Sequence, residues 1–219
     1  MSTIPISPRV LRAGIVLADP STLVVQRVIS MQYNPDTLSR TLQARGVANE
    51  GGDRLDALRL TGPPIETIKL DAEIDATDQL EHPESNVNAV QFGIQPQLAA
   101  LETMIYPTSS QIVSENVMAM AGTIEVAPME APLALFVWSP RRILPIRLTD
   151  FNITEEAFDT DLNPIRAKVS LGMRVLTVND LQFDHKGNSL FMAYHQQKEK
   201  LAGLAGRASL SDLGISKIG

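Results

Sequence analysis

The sequence predicts a mainly β fold of the α+β class, followed by a C-terminal helical extension. Three observations carry this. Over most of the first 178 residues, apolar and β-branched residues recur with period two between turn signals. A single helical period interrupts them at residues 95–106, and from residue 188 the spacing changes to that of an amphipathic helix.

Residues 11–17 and 23–33 read as the two strands of a hairpin, separated by Ala18-Asp-Pro-Ser, where Pro20 presets φ. In the second strand Leu23, Val25, Ile29, Met31 and Tyr33 share one face, expected to be buried. Gln26, Ser30 and Gln32 take the other face, interrupted by Val24 and Val28. The stretch stops at Asn34-Pro35-Asp36, because proline cannot donate to a ladder. Residues 45–54, with Gly46, Gly51 and Gly52, read as a mobile loop, with a short strand near 55–60 and a turn at Thr61-Gly-Pro-Pro64. The clearest strand is 65–76: Ile68, Leu70, Ala72, Ile74 and Ala76 point inward, and Thr67, Lys69, Asp71, Glu73 and Asp75 point outward.

The helix at 95–106 has Pro96 in its first turn, Ile94, Leu98, Leu101 and Ile105 on one face, and Pro107 to stop it. Residues 108–130 read as a long excursion carrying a partial helix or a short strand. Strand patterns resume at 133–138, 143–153 and 165–178, the last two forming a long hairpin. In the helix at 188–204, Leu190, Tyr194, Leu201 and Leu204 mark the apolar face. That face must dock on its own domain or on another subunit. A short tail follows, with Leu210, Leu213, Ile215 and Ile218. No repeat of the kind that builds solenoids is present.

Composition narrows the function classes. The 219 residues suffice for one sizeable core with an appendage, and they contain no cysteine, which removes disulfides, Cys-ligated metals and thiolate nucleophiles. A formal charge of −6 opposes non-specific attraction to nucleic acid or anionic membranes. The longest apolar run, 131–138, is too short to span a membrane, and the N-terminus lacks a secretion signal, so cytoplasmic assembly is expected.

Chemistry is sparse. His82, His185 and His195 show no metal-ligand spacing and read as surface or turn residues; no nucleophile elbow, P-loop or dinucleotide fingerprint occurs. No catalytic residue, cofactor or metal is therefore expected. Asp71, Glu73, Asp75 and Asp78 could collect a cation, but the favoured reading is a solvated or partner-facing strand surface. Arg141 and Arg142 beside Trp138 read either as an interface anchor or as a solvated turn next to a core tryptophan. Met118 and Met120 read as a contact surface or as core filling.

Several segments, taken together, resemble a known family. They are Met31-Gln-Tyr-Asn-Pro-Asp-Thr-Leu38, Thr61-Gly-Pro-Pro-Ile-Glu-Thr-Ile-Lys-Leu-Asp-Ala-Glu-Ile-Asp-Ala76 and Gly93-Ile-Gln-Pro-Gln-Leu-Ala-Ala-Leu-Glu-Thr-Met-Ile-Tyr-Pro107. Phe136-Val-Trp138, Arg142-Ile-Leu-Pro-Ile-Arg147, Phe151-Asn-Ile-Thr-Glu-Glu-Ala-Phe-Asp159 and Leu162-Asn-Pro-Ile-Arg-Ala167 follow in the same order. The order resembles the tube-type domain of contractile injection system baseplate proteins over residues 10–178.

The resemblance implies a β-sandwich or partial barrel with a flanking helix, and a non-enzymatic subunit of a hexameric ring that adapts a trimeric spike to an inner tube. It equally suits the neighbouring tube initiator or a phage tail protein. The implied partners are other copies of the chain, the spike, the inner-tube or tube-initiator protein and baseplate wedge or sheath-associated proteins, without nucleic acid or membrane insertion. Strands 65–76 and 165–178 become candidates for lining the channel, with Lys69, Asp71, Glu73 and Asp75 toward the lumen.

Two departures stand out. Ser139-Pro140 occupies a place where relatives often carry glycine, and residues 179–219 show no LysM start. The expected division is a tube-type β-domain at 1–178, able to fold alone, and an extension at 179–219 that clamps a neighbouring baseplate protein. The rival from another class is a small-ligand-binding or hydrolytic β-domain, which requires a polar pocket.

Overall fold

The computed structural model describes residues 11–46, 59–120, 131–206 and 209–218. The expected mainly β, α+β fold is what forms. Its strands are β1 (Gly14–Ala18), β2 (Val25–Ser30), β3 (Leu38–Gln43), β4 (Ile65–Asp75), β5 (Leu133–Ser139), β6 (Arg142–Phe158) and β7 (Pro164–Val175). All seven belong to one antiparallel sheet in the order β2-β1-β5-β6-β7-β4-β3. Among the described residues five α-helices accompany it: α1 (Thr77–Leu80), α2 (Val87–Phe92), α3 (Gln95–Glu102), α4 (Ser109–Met120) and α5 (Lys186–Leu204).

The 17-residue strand β6 organises the sheet. Its first residues pair with β5 as far as Ile146, and from Ile146 onward it pairs with β7, with register shifts after Leu148 and Glu155 that bend it. Two groups of strands therefore share one long strand. The sheet curls: the Gln32 side chain, just beyond β2, accepts from the Asp75 amide (3.0 Å) and donates to the Asp75 carbonyl (2.7 Å) at the end of β4. A glutamine amide used this way substitutes for a neighbouring strand.

Inward-facing residues of the curled sheet form the core. Ile15, Phe136, Leu144, Ile146, Val169 and Met173 are fully or almost fully buried, and Ile94, Leu98 and Leu101 from the α3 region join them. Pairing in register makes this face continuous, since Ile68 lies opposite Met173, Leu70 opposite Leu171 and Ala72 opposite Val169. The alternation expected for 65–76 is observed.

Several expectations change. The β1–β2 hairpin forms, but β2 is an outer strand with one neighbour, and Val24, Val25 and Val28 are exposed while Met31 is buried and Ile29 packs at the core margin. Leu23 lies in the turn with φ +60, not in a strand. The loop expected at 45–54 and the strand near 55–60 fall mainly outside the described residues; Gly46 and Leu60 form a bridge. The excursion after Pro107 contains α4, and α1 and α2 fill a corner that no periodicity announced.

The helix expected at 188–204 is α5, but its docking face differs from the expected one. Asn188, Phe191 and Tyr194 are buried, and Phe191 and Tyr194 belong to the core, whereas Leu201 and Leu204 are exposed. The expected division at residue 178 therefore runs through a shared core, because Phe191 and Tyr194 of α5 pack with the inward face of the sheet.

Candidate functional site

The outward face of β4, β7 and β6 is the most organised polar surface. Antiparallel register sets Asp71 opposite Ser170, Glu73 opposite Lys168 and Asp75 opposite Arg166. Arg166 Nε lies 2.7 Å from Asp75 Oδ2 and 3.7 Å from Glu73 Oε1, Lys168 Nζ lies 2.7 Å from Glu156 Oε1, and Ser170 Oγ donates to Asp71 Oδ1 at 2.5 Å. The expected acidic row of Asp71, Glu73 and Asp75 exists, with Lys69 at its head. In three dimensions the basic and hydroxyl side chains of β7 stand opposite it, so Asp75 and Glu73 meet Arg166 and Asp71 meets Ser170.

Titration behaviour follows from these contacts. Burial pushes the Asp75 carboxyl up, but hydrogen bonds from the Thr77 hydroxyl and amide and from Arg166 outweigh it and hold the group below the usual carboxylate range. The hydrogen bond to Asp75 raises Arg166, and the one to Glu156 raises Lys168. A depression of about 340 Å³ crosses this face between Lys69, Asp71, Asp150 and Ser170. Gly172 helps to make the space, since a Cβ there would lie 2.6 Å from Asp150 Oδ2.

A residue outside the expected set connects this sheet to α5. Glu66 lies on the inward face of β4, with its side chain only 4% exposed. It takes Arg40 of β3 (2.7 Å) on Oε1 and Lys198 of α5 (2.9 Å) on Oε2. Lys198 Nζ sits 4.2 Å above the Tyr194 ring, and Arg40 Nη2 donates to the Tyr194 hydroxyl at 3.3 Å. The signal was present in the sequence: Glu66 has the same parity as Ile68 and Leu70, so the alternation puts a carboxylate on the apolar face.

The remaining candidates separate. Trp138 is half-buried with its ring 6.0 Å from that of Phe136, Arg141 is exposed, and Arg142 is half-buried. Tyr194 joins the core and Leu190 is half-buried, while Leu201 and Leu204 are exposed, so the four do not form one exposed face. Met118 and Met120 are exposed on α4. His185 caps α5 by accepting from the Gly187 amide at 2.9 Å, and His195 sits 3.5 Å from Glu199. Among the described residues no cluster of metal-binding side chains occurs and no helix is long and apolar enough to cross a membrane.

A cavity of about 440 Å³ opens between β2, α3 and the second half of β4. Met31, Ile74 and Leu101 supply apolar lining, and Arg27 and Gln97 supply polar lining. Gln97 Oε1 is buried without a donor among the described residues. Comparison with protein-family models and with curated proteins finds no match for the chain.

Proposed function

We propose that the protein is a non-enzymatic structural subunit of a contractile injection particle, assembling in the cytoplasm as a hexameric ring that adapts a trimeric spike to the inner tube. The observation that supports this reading most is the division of labour across the long antiparallel strands. One face of β4 and β7 builds the core, and the other carries a row of charged and hydroxyl side chains, several of them paired, which suits a hydrated channel wall that retains nothing. The neighbouring tube initiator and a phage tail protein would use the same surface in the same way.

The test is electron microscopy and mass measurement of the full chain, alone and with candidate spike and tube proteins. Six-fold rings, or incorporation between spike and tube, are expected; a chain that remains monomeric in every mixture refutes the reading. The cavity beside α3, with its buried unpaired Gln97 oxygen, favours a second reading as a small-ligand-binding domain. That reading predicts a saturable thermal shift with small amphipathic ligands, abolished by Gln97→Leu.

A further inference from the structure

The cavity beside α3 is bordered by two strand edges. Residues 27–32 and residues 72–74 line it without a gap, so side chains of both parities take part, which an edge presents and a sheet face does not. On the first wall, β2 is an outer strand with one neighbour. The Met31 amide donates to the Ala13 carbonyl (2.8 Å), so Arg27, Ile29 and Met31 turn their peptide groups toward β1. The N–H and C=O groups of Val28 and Ser30 therefore face away from β1 and join no ladder.

On the second wall, the pairing of β4 with β3 ends where Leu70 meets Leu38, and from Asp71 to Asp75 the strand pairs only with β7. Its open side is used at Asp75, whose amide and carbonyl meet the Gln32 side-chain amide and not another strand. Glu73, two residues earlier, turns its N–H and C=O to the same side. Below these edges lies an apolar floor of Ile15, Leu101 and Leu171, each buried. The charged residues around the cavity are Arg12, Arg27 and Glu73. Glu73 faces Arg166 at 3.7 Å, whereas neither arginine has a carboxylate within ion-pair distance among the described residues, so the free charge is cationic. Arg27 is held in place at 2.6 Å from the Thr103 hydroxyl oxygen.

Open peptide groups on two walls, an apolar floor and a cationic rim together specify a class of occupant. We infer that the cavity receives an extended peptide segment of a partner protein, which pairs with β2 through Val28 and Ser30. Main-chain hydrogen bonds supply affinity in this mode of recognition, and alternate side chains supply specificity. One set is apolar and rests on Ile15, Leu101 and Leu171; the other is acidic and meets Arg12 and Arg27. Gln32 shows the same chemistry within the chain, since its amide takes the place of a peptide group opposite Asp75. A small amphiphile would cover the floor and leave the strand edges unpaired. The inference is independent of the ring reading and is an alternative to the small-ligand reading of the same cavity.

The probe is a panel of end-blocked octapeptides that alternate Leu, Val or Phe with Asp, titrated into the full chain and followed by backbone amide NMR. Saturable shifts at Val28 and Ser30 are expected. Methylating alternate peptide nitrogens should weaken binding at least about tenfold in the register that faces β2, and much less in the other. Val28→Pro removes an N–H that the β1 ladder does not use, so it should keep the wild-type melting curve and weaken binding about tenfold. Arg12→Glu, at an exposed position, repeats the test through charge. No saturable shift with any peptide, or folded variants that bind like the wild type, overturns the inference. So do small amphiphiles that bind where the peptides do not, which favours the small-ligand reading. Val28 and Ser30 signals that move on diluting the chain alone, or on deleting residues 1–10, identify a second copy or that segment as the occupant and overturn the partner. Ring assembly is read separately by electron microscopy, so each of these results leaves the ring reading standing.

Discussion

Replacing Glu66 by alanine asks whether charge holds the C-terminal helix on the sheet. The carboxylate is almost completely covered and meets Arg40 at 2.7 Å and Lys198 at 2.9 Å. Breaking a fully buried ion pair costs about 3–5 kcal/mol, because the remaining charge stays dry. Here Arg40 and Lys198 are each about one-third exposed, so both can recover water once Glu66 is gone. Each lost contact is then worth about 1–1.5 kcal/mol, as for an ordinary hydrogen bond, for a total of about 2–3 kcal/mol. At this chain length that lowers Tm by about 5–10 °C. Urea unfolding followed by Trp138 fluorescence and far-UV circular dichroism measures it, and a cycle with Lys198→Ala should give a coupling of about 1 kcal/mol. A Glu66→Ala variant within about 0.5 kcal/mol of the wild type, or additive single losses, would refute the reasoning. Glu66→Leu separates two roles: if it is more stable than the wild type, the carboxylate serves to position α5 and not to stabilise it.

Two further outcomes are expected. Phe191→Ala should cost about 3–4 kcal/mol, and truncation after Val178 should abolish near-UV circular dichroism and cooperative melting; a truncated chain that unfolds cooperatively would remove α5 from the core. Hydrogen bonds from the Asn163 side chain and from the Asn163 and Asp161 amides hold Asp159 below the usual carboxylate range. Its contribution is therefore complete above the unfolded value of about 4 and disappears as pH falls through the lower folded value. Asp159→Asn should flatten the acid limb of the stability curve below about pH 4, and parallel curves for the two proteins would show that the turn network does not depend on the ionised carboxylate.

The fold was legible where the two faces of an element meet different fates. In β4 and β7 one face is core and the other solvent, so period two in the sequence became period two in burial. In β2 the same pattern misled, because burial requires cover as well as alternation. A strand with one neighbour leaves Val25 and Val28 in solvent whatever their parity. The C-terminal helix shows the same limit at a longer range. Its apolar period continues through Leu201 and Leu204, but docking ends near Lys198, whose anchor Glu66 is 132 residues away in the chain. The corner at α1 and α2 was silent because its helices are only four and six residues long, too short for a period to register.

The candidate site was legible by residue and not by neighbour. Carboxylates at every second position of β4 announce a charged face, but only the register with β7 decides whether that face is acidic. Arg166 and Lys168 settle it by standing opposite Asp75 and Glu73. Carboxylates without an ion pair among the described residues lie elsewhere, as at Asp161 in the β6–β7 turn and Glu155 within β6. Paired charges in water contribute little to stability or binding. The acidic composition of the sequence is thus resolved by register into matched charges on the outward face of β4 and β7 and carboxylates elsewhere that face water.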